Sequence, residues 1–169
     1  MRGLLVLDPQ RYVLNQKEFK EEKSKVKKII QIFKERGERV IFTRQVENIK
    51  DSPFNKDNSS SEIYEEFNKL YDYLIEKTMP SAFHKSNLEK VLKAEEIDEL
   101  IIIGFSIRYS HLFTAASASD RGYNVTFIKD SFGIADTEEL DTKEIIEYVM
   151  KKSKVITVTS YDEFLKKSI

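Results

Sequence analysis

The sequence predicts an α/β protein of three layers, α/β/α, whose mostly parallel six-stranded sheet lies between two layers of helices. Six short apolar runs are spread along the chain, and segments with helical spacing of apolar residues separate them. Such alternation is typical of parallel sheets. The run from Leu100 to Ile103 is wholly apolar, which suits a central strand covered on both faces. No repeat or domain boundary is evident, so we expect residues 1–169 to form a single domain.

The composition is that of an ordinary globular protein. Of the 169 residues, 40% are hydrophobic and 34% are charged, and the formal net charge is −1. This balance gives no reason to expect a nucleic acid or a membrane surface as partner. No apolar run has transmembrane length and the start of the chain lacks a signal-peptide core, so we expect a cytoplasmic location. The absence of cysteine excludes disulfides and thiol nucleophiles.

The first half of the chain predicts three strands. Residues 3–7 form a strand that ends at Asp8, and an amphipathic helix starts near Asn15 and stops at Gly37. A second strand covers residues 38–43. The remaining predictions are a long loop at 44–62, a short helix within 64–70 and a third strand at 73–75.

The second half predicts three more strands. The strand at 100–103 turns tightly at Gly104 into a helix rich in small residues, which ends at Gly122. The other two strands cover 124–128 and 155–158. Three capping patterns open helices, at Ser86 to Glu89, Asp141 to Glu144 and Ser160 to Glu163.

Polar residues follow three of these strands, at the edge where open α/β sheets bind their ligands. Asp8 ends the first strand, Lys77 follows the third, and Ser110 lies shortly beyond Gly104. A carboxylate beside an ammonium group can serve proton transfer, since each group tunes the protonation of the other. The alternative is structural, because an aspartate at a strand end often caps a loop and a lysine before a turn is often solvated.

Four motifs, in the same order along the chain, resemble those of the isochorismatase-like hydrolases, also called the cysteine hydrolase superfamily. The matching segments are LLVLDPQ at 4–10, EKTMPSAF at 76–83, IIIGFSIRYSHLFTAASASDRGYNVTFIKDSFG at 101–133 and VITVTSYDEFL at 155–165. The family includes nicotinamidases, N-carbamoylsarcosine amidases and isochorismatases. The resemblance covers nearly the whole chain, and it implies the Rossmann-like isochorismatase fold and a hydrolase of small molecules.

The resemblance also implies where the catalytic residues lie. They are Asp8, Lys77 and Ser110, while the backbone N–H groups of Ser106 and Ser110 bind an oxyanion. In amidase members a cysteine thiolate attacks the carbonyl carbon, the Asp takes its proton and the Lys supports the Asp. Here Ser110 stands at the position of that cysteine. The family often carries a cis peptide before the first oxyanion residue, which would be Phe105–Ser106.

A serine does not simply replace the cysteine. A hydroxyl is far less acidic than a thiol and normally needs a strong base beside it. His111 is adjacent in sequence, but neighbouring side chains on a helix point about 100° apart. His84 could lie near the cleft. Either histidine is more commonly a plain surface or interior residue than a catalytic base.

We expect no catalytic metal and no other cofactor. Metal-binding members carry an Asp-x-His pattern after the second strand, where residues 43–46 of this chain read TRQV. Gln10, Arg44 and Arg108 are candidate substrate-binding residues, and the two arginines suit a small carboxylate. Alternatively, both arginines are simply exposed to solvent.

Two main interpretations of function follow. The first is hydrolysis of a small, anionic molecule without a cysteine nucleophile, by acid-base chemistry of Asp8 and Lys77. This resembles the isochorismatase branch, in which the Asp acts as general acid on an enol ether and water attacks. The second is a catalytically silent member that binds a small molecule or serves as an oligomeric scaffold. A serine-nucleophile amidase is a third. Dimers and tetramers are common in the family, which implies a homodimer or homotetramer.

Overall fold

One parallel sheet organises the structure, a computed structural model that describes residues 1–135 and 141–168. Its strands are β1 (Arg2–Leu7), β2 (Arg39–Gln45), β3 (Tyr73–Lys77), β4 (Glu99–Ser106), β5 (Asn124–Ile134) and β6 (Ile156–Thr159). They lie in the order β3-β2-β1-β4-β5-β6, and every neighbouring pair is parallel. The predicted six-stranded α/β sheet is confirmed, and within the described residues it is wholly parallel.

Helices connect the strands. They are α1 (Arg11–Leu14), α2 (Lys20–Glu35), α3 (Leu88–Ala94), α4 (Ser110–Asp120), α5 (Thr142–Ser153) and α6 (Tyr161–Ser168), with short 3₁₀ helices at Ser59–Ser61 and Glu65–Phe67. In the described part of the chain, no helix has the length and apolarity that crossing a membrane would require.

The sheet is buried on both faces, which makes the fold three layers deep. Along β1, Leu5 and Leu7 belong to one core, whereas Leu4 and Val6 belong to the other, because successive side chains of a strand point to opposite faces. Buried residues of α3, α4 and α5 complete the first core. Those of α1, α2 and α6 complete the second. The predicted α/β/α layering is therefore confirmed.

Gly104 lies inside β4 and is not the turn that the sequence predicts. The strand continues to Ser106, and its pairing with β5 shifts register between Ile102 and Gly104. Gly104 has φ of +118°, and a Cβ atom there would lie 2.4 Å from the backbone nitrogen of Leu7. Only glycine accommodates both constraints, so this glycine allows β1 and β4 to approach closely within the sheet.

β5 is longer than the predicted strand at 124–128. Polar residues at 129–131 interrupt its apolar pattern, but pairing with β4 resumes at Phe132 and continues to Ile134. The third strand is also longer than predicted and reaches Lys77, because its backbone pairs with β2 as far as Gln45.

Two helical predictions need correction. The helix expected from Asn15 begins at Lys20, and a separate single turn, α1, precedes it. The predicted stop of this helix at Gly37 is confirmed, and Gly37 has φ of +68°. The helix expected within 64–70 is a 3₁₀ turn at Glu65–Phe67. Short segments of this kind carry too few residues for helical periodicity to identify them.

Two of the three predicted helix caps are confirmed. The Asp141 side chain accepts hydrogen bonds from the backbone N–H groups two and three residues on, at 3.0 and 3.2 Å. Ser160 and Glu163 each accept from the backbone N–H of the other, at 3.2 and 3.0 Å. The pattern at Ser86 is not reciprocal, because Glu89 pairs with the lysine one turn later instead.

Candidate functional site

The strands β1, β3 and β4 bring the predicted catalytic residues together at one edge of the sheet, where β2 lies between β3 and β1. Asp8 follows β1, Lys77 ends β3, and Ser110 begins α4 after β4. The Nζ atom of Lys77 lies 2.8 Å from Oδ2 of Asp8 and 3.3 Å from Oγ of Ser110. The convergence expected from the strand ends is therefore observed in the fold.

Asp8 is a buried carboxylate with both oxygen atoms engaged. Its side chain is about 4% exposed; Oδ1 accepts a hydrogen bond of 2.5 Å from the Thr43 hydroxyl, and Oδ2 pairs with Lys77. The Thr43 Oγ1 in turn accepts from the backbone N–H of Asp8, at 3.1 Å. Asp8 has φ of +41°, in the left-handed region that Asp tolerates better than most residues. The carboxylate is thus fixed in position from two sides.

Lys77 is a buried ammonium group whose donors are directed at the site. Only 1% of its side chain is exposed. Besides Asp8 and Ser110, its Nζ donates to Oε1 of Gln45 at 2.8 Å and to the carbonyl of Met79 at 3.4 Å. Burial of a charge is costly unless it is paired and hydrogen-bonded, and Lys77 meets both conditions.

Asp8 and Ser110 line an open cleft of about 440 Å³. Its apolar wall is formed by Val13, Phe54, Pro80, Ile107 and Tyr109. Its other polar lining residues are Gln45, Glu47, Thr78 and Arg108. A cleft of this size, mostly apolar with a few converging polar groups, is typical of a small-molecule site.

The structure does not bring Gln10 to the described lining of the cleft. Its side chain is fully buried behind it, where it donates to the carbonyls of Gln45 and Ser61 at 2.9 and 2.7 Å and accepts from the Gln45 N–H at 2.8 Å. Gln10 therefore clamps the end of β2 to the following loop, because its amide is consumed by the backbone.

Arg44 also lies away from the described lining of the cleft, which corrects its predicted place. Its guanidinium reaches Glu76 at 3.6 Å and the Lys56 carbonyl at 3.4 Å. The reason is the alternation of a strand. Thr43 points toward Asp8 and Gln45 points toward Lys77, so Arg44 between them points to the opposite side.

Arg108 and Ser106 occupy different positions relative to the cleft. Arg108 is exposed and lines it, as predicted. Ser106 is buried at the end of β4, and its Oγ donates to the Arg108 carbonyl at 3.3 Å. Ser110 is the first residue of α4, whose N-terminal N–H groups have no acceptor within the helix. Within the described residues there is no cis peptide, so the bond before Ser106 is trans.

His111 faces the protein interior. The side chain is fully buried, packs against the rings of Phe127 and Phe132, and places Nδ1 3.2 Å from Oγ of Ser106. Burial, with smaller effects of the charges of Lys77 and Lys143, lowers the pKa of His111 from 6.5 to about 3. His84 is exposed, and neither histidine is among the described residues that line the cleft.

Three residues of this edge were not predicted from the sequence: Thr43, Gln45 and Glu47. They lie at alternate positions along β2 and its continuation, and each faces the site or the cleft. The signal that could have found them is the two-residue period of a strand, extended four positions beyond the predicted end at Thr43. Across residues 1–135 and 141–168, no cluster of three His, Cys, Asp or Glu side chains is placed to hold a metal ion.

The sequence of the chain matches a protein family and individual relatives. A family model described as "Isochorismatase domain" matches residues 2–160. An uncharacterized isochorismatase family protein of Bacillus subtilis is 27% identical over 118 residues, which are 68% of this chain and 63% of the relative. A nicotinamidase of Saccharomyces cerevisiae is 30% identical over 82 residues, which are 48% of this chain and 36% of the relative. The matched part of the chain thus spans less than two thirds of these curated relatives.

Solved structures share the fold over almost the whole chain. A cysteine hydrolase from Pseudomonas syringae pv. phaseolicola superimposes with a TM-score of 0.84 and 17% identity, covering 99% of this chain and 92% of the other. An isochorismatase from Pseudomonas putida superimposes with a TM-score of 0.80 and 20% identity, covering 96% of this chain and 89% of the other. A nicotinamidase from Staphylococcus aureus superimposes with a TM-score of 0.76 and 23% identity, covering 94% of this chain and 97% of the other.

Proposed function

Since the chain belongs to the isochorismatase family, we propose that it is a hydrolase that acts on a small, anionic molecule without a cysteine nucleophile. The observation that carries this proposal is the buried pair of Asp8 and Lys77, 2.8 Å apart, at a cleft of about 440 Å³. A charged pair held out of water beside an open cleft is suited to acid-base chemistry and is a costly arrangement for stability alone.

In the proposed reaction, Asp8 exchanges a proton with the substrate. Asp8 first takes up a proton from a water molecule of the cleft, which leaves hydroxide to solvent, and the carboxyl then donates this proton to the carbon of an enol ether. A second water molecule adds to the resulting cation, and the C–O bond of the adduct breaks to give a ketone and an alcohol. The ammonium group of Lys77 stabilises the carboxylate that remains, and the proton released from the added water returns to Asp8. Oδ2 of Asp8, although bonded to Lys77, retains a second lone pair for this exchange.

Water is a better candidate than Ser110 for the attacking group. Lys77 donates to Oγ of Ser110, so the hydroxyl proton of Ser110 is available to the cleft. A serine nucleophile normally needs a base to remove that proton. His111 faces Ser106 in the interior, and His84 is exposed. We therefore assign Ser110 the role of a hydrogen-bond donor to the substrate or to the attacking water.

The anionic character of the substrate is supported by the cations near the cleft. Arg108 lines it, and the N-terminus of α4 begins at Ser110. Guanidinium groups pair with carboxylates, and helix N-termini favour negative charge. The N–H groups of Ser106 and Ser110 remain the proposed oxyanion donors, and we propose no role for Arg44 or Gln10 in contact with substrate.

The test is turnover of isochorismate and of a panel of small amides, with products read by mass spectrometry. We expect the enol ether to be cleaved, and Asp8→Asn to lower kcat by at least about 100-fold, the usual size of a lost general acid. Asp51→Asn makes the same change at an exposed loop position and should leave the rate unaltered. Equal product formation by wild type and Asp8→Asn would exclude the proposed site.

A silent family member is the second candidate. It is favoured by the complete pairing of Lys77, whose donors are taken up by Asp8, Gln45 and Ser110. Such a site would bind a small molecule in the cleft without turning it over, or the chain would serve as an oligomeric scaffold. Amide turnover that depends on Ser110 would instead support a serine nucleophile.

We also propose that the protein acts in the cytoplasm, as a homodimer or homotetramer. Support for assembly comes from the exposed apolar residues of α5, which include Ile145, Tyr148 and Val149. At spacings of three and four residues, they lie on one face of the helix.

A further inference from the structure

Glu47 is a cleft-lining carboxylate that does not belong to the Asp8–Lys77 pair. It follows β2 by two residues, at the next position in the alternation that begins with Thr43 and Gln45. Its backbone is fixed on both sides. The preceding N–H, of Val46, donates to the Lys77 carbonyl at 2.8 Å, and the Glu47 N–H donates to the Phe54 carbonyl at 2.9 Å. The carboxylate therefore stands on an extension of the sheet.

The side chain is also held in place. The hydroxyl of Ser52 donates to Oε2 of Glu47, and the same hydroxyl accepts from the N–H of Phe54 at 3.1 Å. Ser52 itself is only 8% exposed. A carboxylate can accept about four hydrogen bonds, so Glu47 retains acceptor capacity toward the cleft. Asp8 is neutralised by Lys77, whereas this carboxylate is held by a neutral hydroxyl.

A fixed carboxylate at the wall of a small cleft selects its ligand by chemistry. It accepts hydrogen bonds and cannot donate them, so it favours a ligand that presents an N–H or O–H group and disfavours one that presents only acceptors. Phe54, beside it, belongs to the apolar wall with Ile107 and Tyr109. An apolar body carrying a donor would satisfy both surfaces.

We infer that Glu47 is a specificity-determining residue, and that the cleft takes small carboxylates with an apolar body and an N–H or O–H donor directed at Glu47. This inference rests on the proposed function in one respect, the anionic group that the ligand carries toward Arg108. Beyond the proposed function, the inference states that the ligand must carry a hydrogen-bond donor, and that Glu47 imposes this requirement.

Two probes of nearly equal shape test the inference, 3-carbamoylbenzoate and 3-acetylbenzoate. Both carry a carboxylate, a ring and a carbonyl, and only the first has N–H donors. We expect wild-type protein to bind the carbamoyl compound about tenfold more tightly, since a hydrogen bond to a charged group is among the stronger ones. Dissociation constants would be measured by NMR-monitored titration.

The preference should disappear in Glu47→Met, which keeps the length of the side chain without its acceptors, and should weaken in Glu47→Gln, which can still accept from Ser52. Glu76→Met is the matched control, because Glu76 lies at the same edge of the sheet, is 57% exposed and pairs with Arg44. Thermal melting would show that each variant is folded.

Equal affinity of wild type for the two probes would overturn the inference, as would a preference that survives in Glu47→Met or a failure of both probes to bind up to their solubility limit. Because the titration reads binding of the intact probe, which the NMR spectrum itself verifies, its result is separate from that of the turnover assay. Loss of turnover with a Glu47-dependent preference would reject the proposed reaction alone. Turnover without that preference would reject this inference alone.

Discussion

At the scale of single residues, the protein holds two basic side chains in its interior in opposite ways. Lys77 is paired with Asp8, which accepts from it at 2.8 Å, and Gln45 adds a neutral acceptor. His111 is fully buried among aromatic rings, and its pKa is lowered mainly by this burial and further by the charge of Lys77. The interior therefore stabilises an ion pair at the cleft and a neutral imidazole directly behind it.

The buried imidazole predicts a specific dependence of stability on pH. The pKa of His111 is lowered to about 3 in the folded protein, so the unfolded chain, with an ordinary histidine pKa of about 6.5, binds an extra proton between these values. The free energy of unfolding should therefore fall as the pH falls below about 6.5, by up to about 1.4 kcal/mol per pH unit from this group.

Urea unfolding between about pH 7 and pH 5 would measure this slope. Replacing the buried side chain, in His111→Leu, should remove the contribution, whereas His84→Leu, at the exposed histidine, should retain it. The comparison is between slopes, so a general loss of stability in either variant does not affect it. Parallel slopes in wild type and His111→Leu would contradict the assignment of a neutral, buried imidazole.

The residues that sequence reasoning placed correctly are those whose position follows from the chain path alone. Asp8, Lys77 and Ser110 converge because they end parallel strands or begin the next helix, and Arg108 lies on the connecting loop. Arg44 was misplaced because charge was considered before side-chain direction, and direction along a strand alternates.

At the scale of elements, the contact between β1 and β4 depends on one residue without a side chain. Gly104 combines φ of +118° with the close backbone of Leu7. The sequence pattern predicts a turn at this glycine, because glycine commonly separates one element from the next. What the sequence could not reveal is that β5 resumes pairing with β4 beyond the polar residues at 129–131, since that register depends on long-range contact.

Gly104→Ala is predicted to destabilise the protein by about 3 kcal/mol or more, because the added Cβ both clashes with the Leu7 backbone and strains the glycine-specific dihedral. The matched control is Gly122→Ala. Gly122 has φ of +83° but no atom within 4 Å of an added Cβ, so only about 1–2 kcal/mol of strain is expected. Chemical denaturation of both variants measures their free energies of unfolding. Equal losses of stability in the two variants would show that the close approach of β1 and β4 at Gly104 is unimportant.

At the scale of the whole molecule, one sheet is shared by two cores, and four of its strands contribute to a single edge. Helices on one face pack against Leu5 and Leu7, and those on the other pack against Leu4 and Val6. Because both cores are built on the two faces of this one sheet, we propose that residues 1–169 act as one domain. Three apolar side chains of α5, Ile145, Tyr148 and Val149, remain exposed after this packing is complete.

Assembly in solution is the prediction that belongs to this scale. Sedimentation equilibrium should give the mass of two or four chains. The double change Ile145→Lys with Val149→Lys should lower that mass if α5 lies at the interface, since charge is disfavoured in an interface core. Ile49→Lys, at a 64% exposed loop position, should not. A wild-type protein that sediments as a single chain would contradict the prediction.

The alternation along the end of β2 also bears on how such a protein can change over generations. Thr43, Gln45 and Glu47 face the cleft side, while Arg44 faces away from it. Loss or gain of one codon in this stretch would exchange the two sets, bringing Arg44 to the cleft side and removing the partners of Asp8 and Lys77. A lineage can therefore acquire new ligands here by replacing individual codons, while mutations that alter the length of this stretch should be purged.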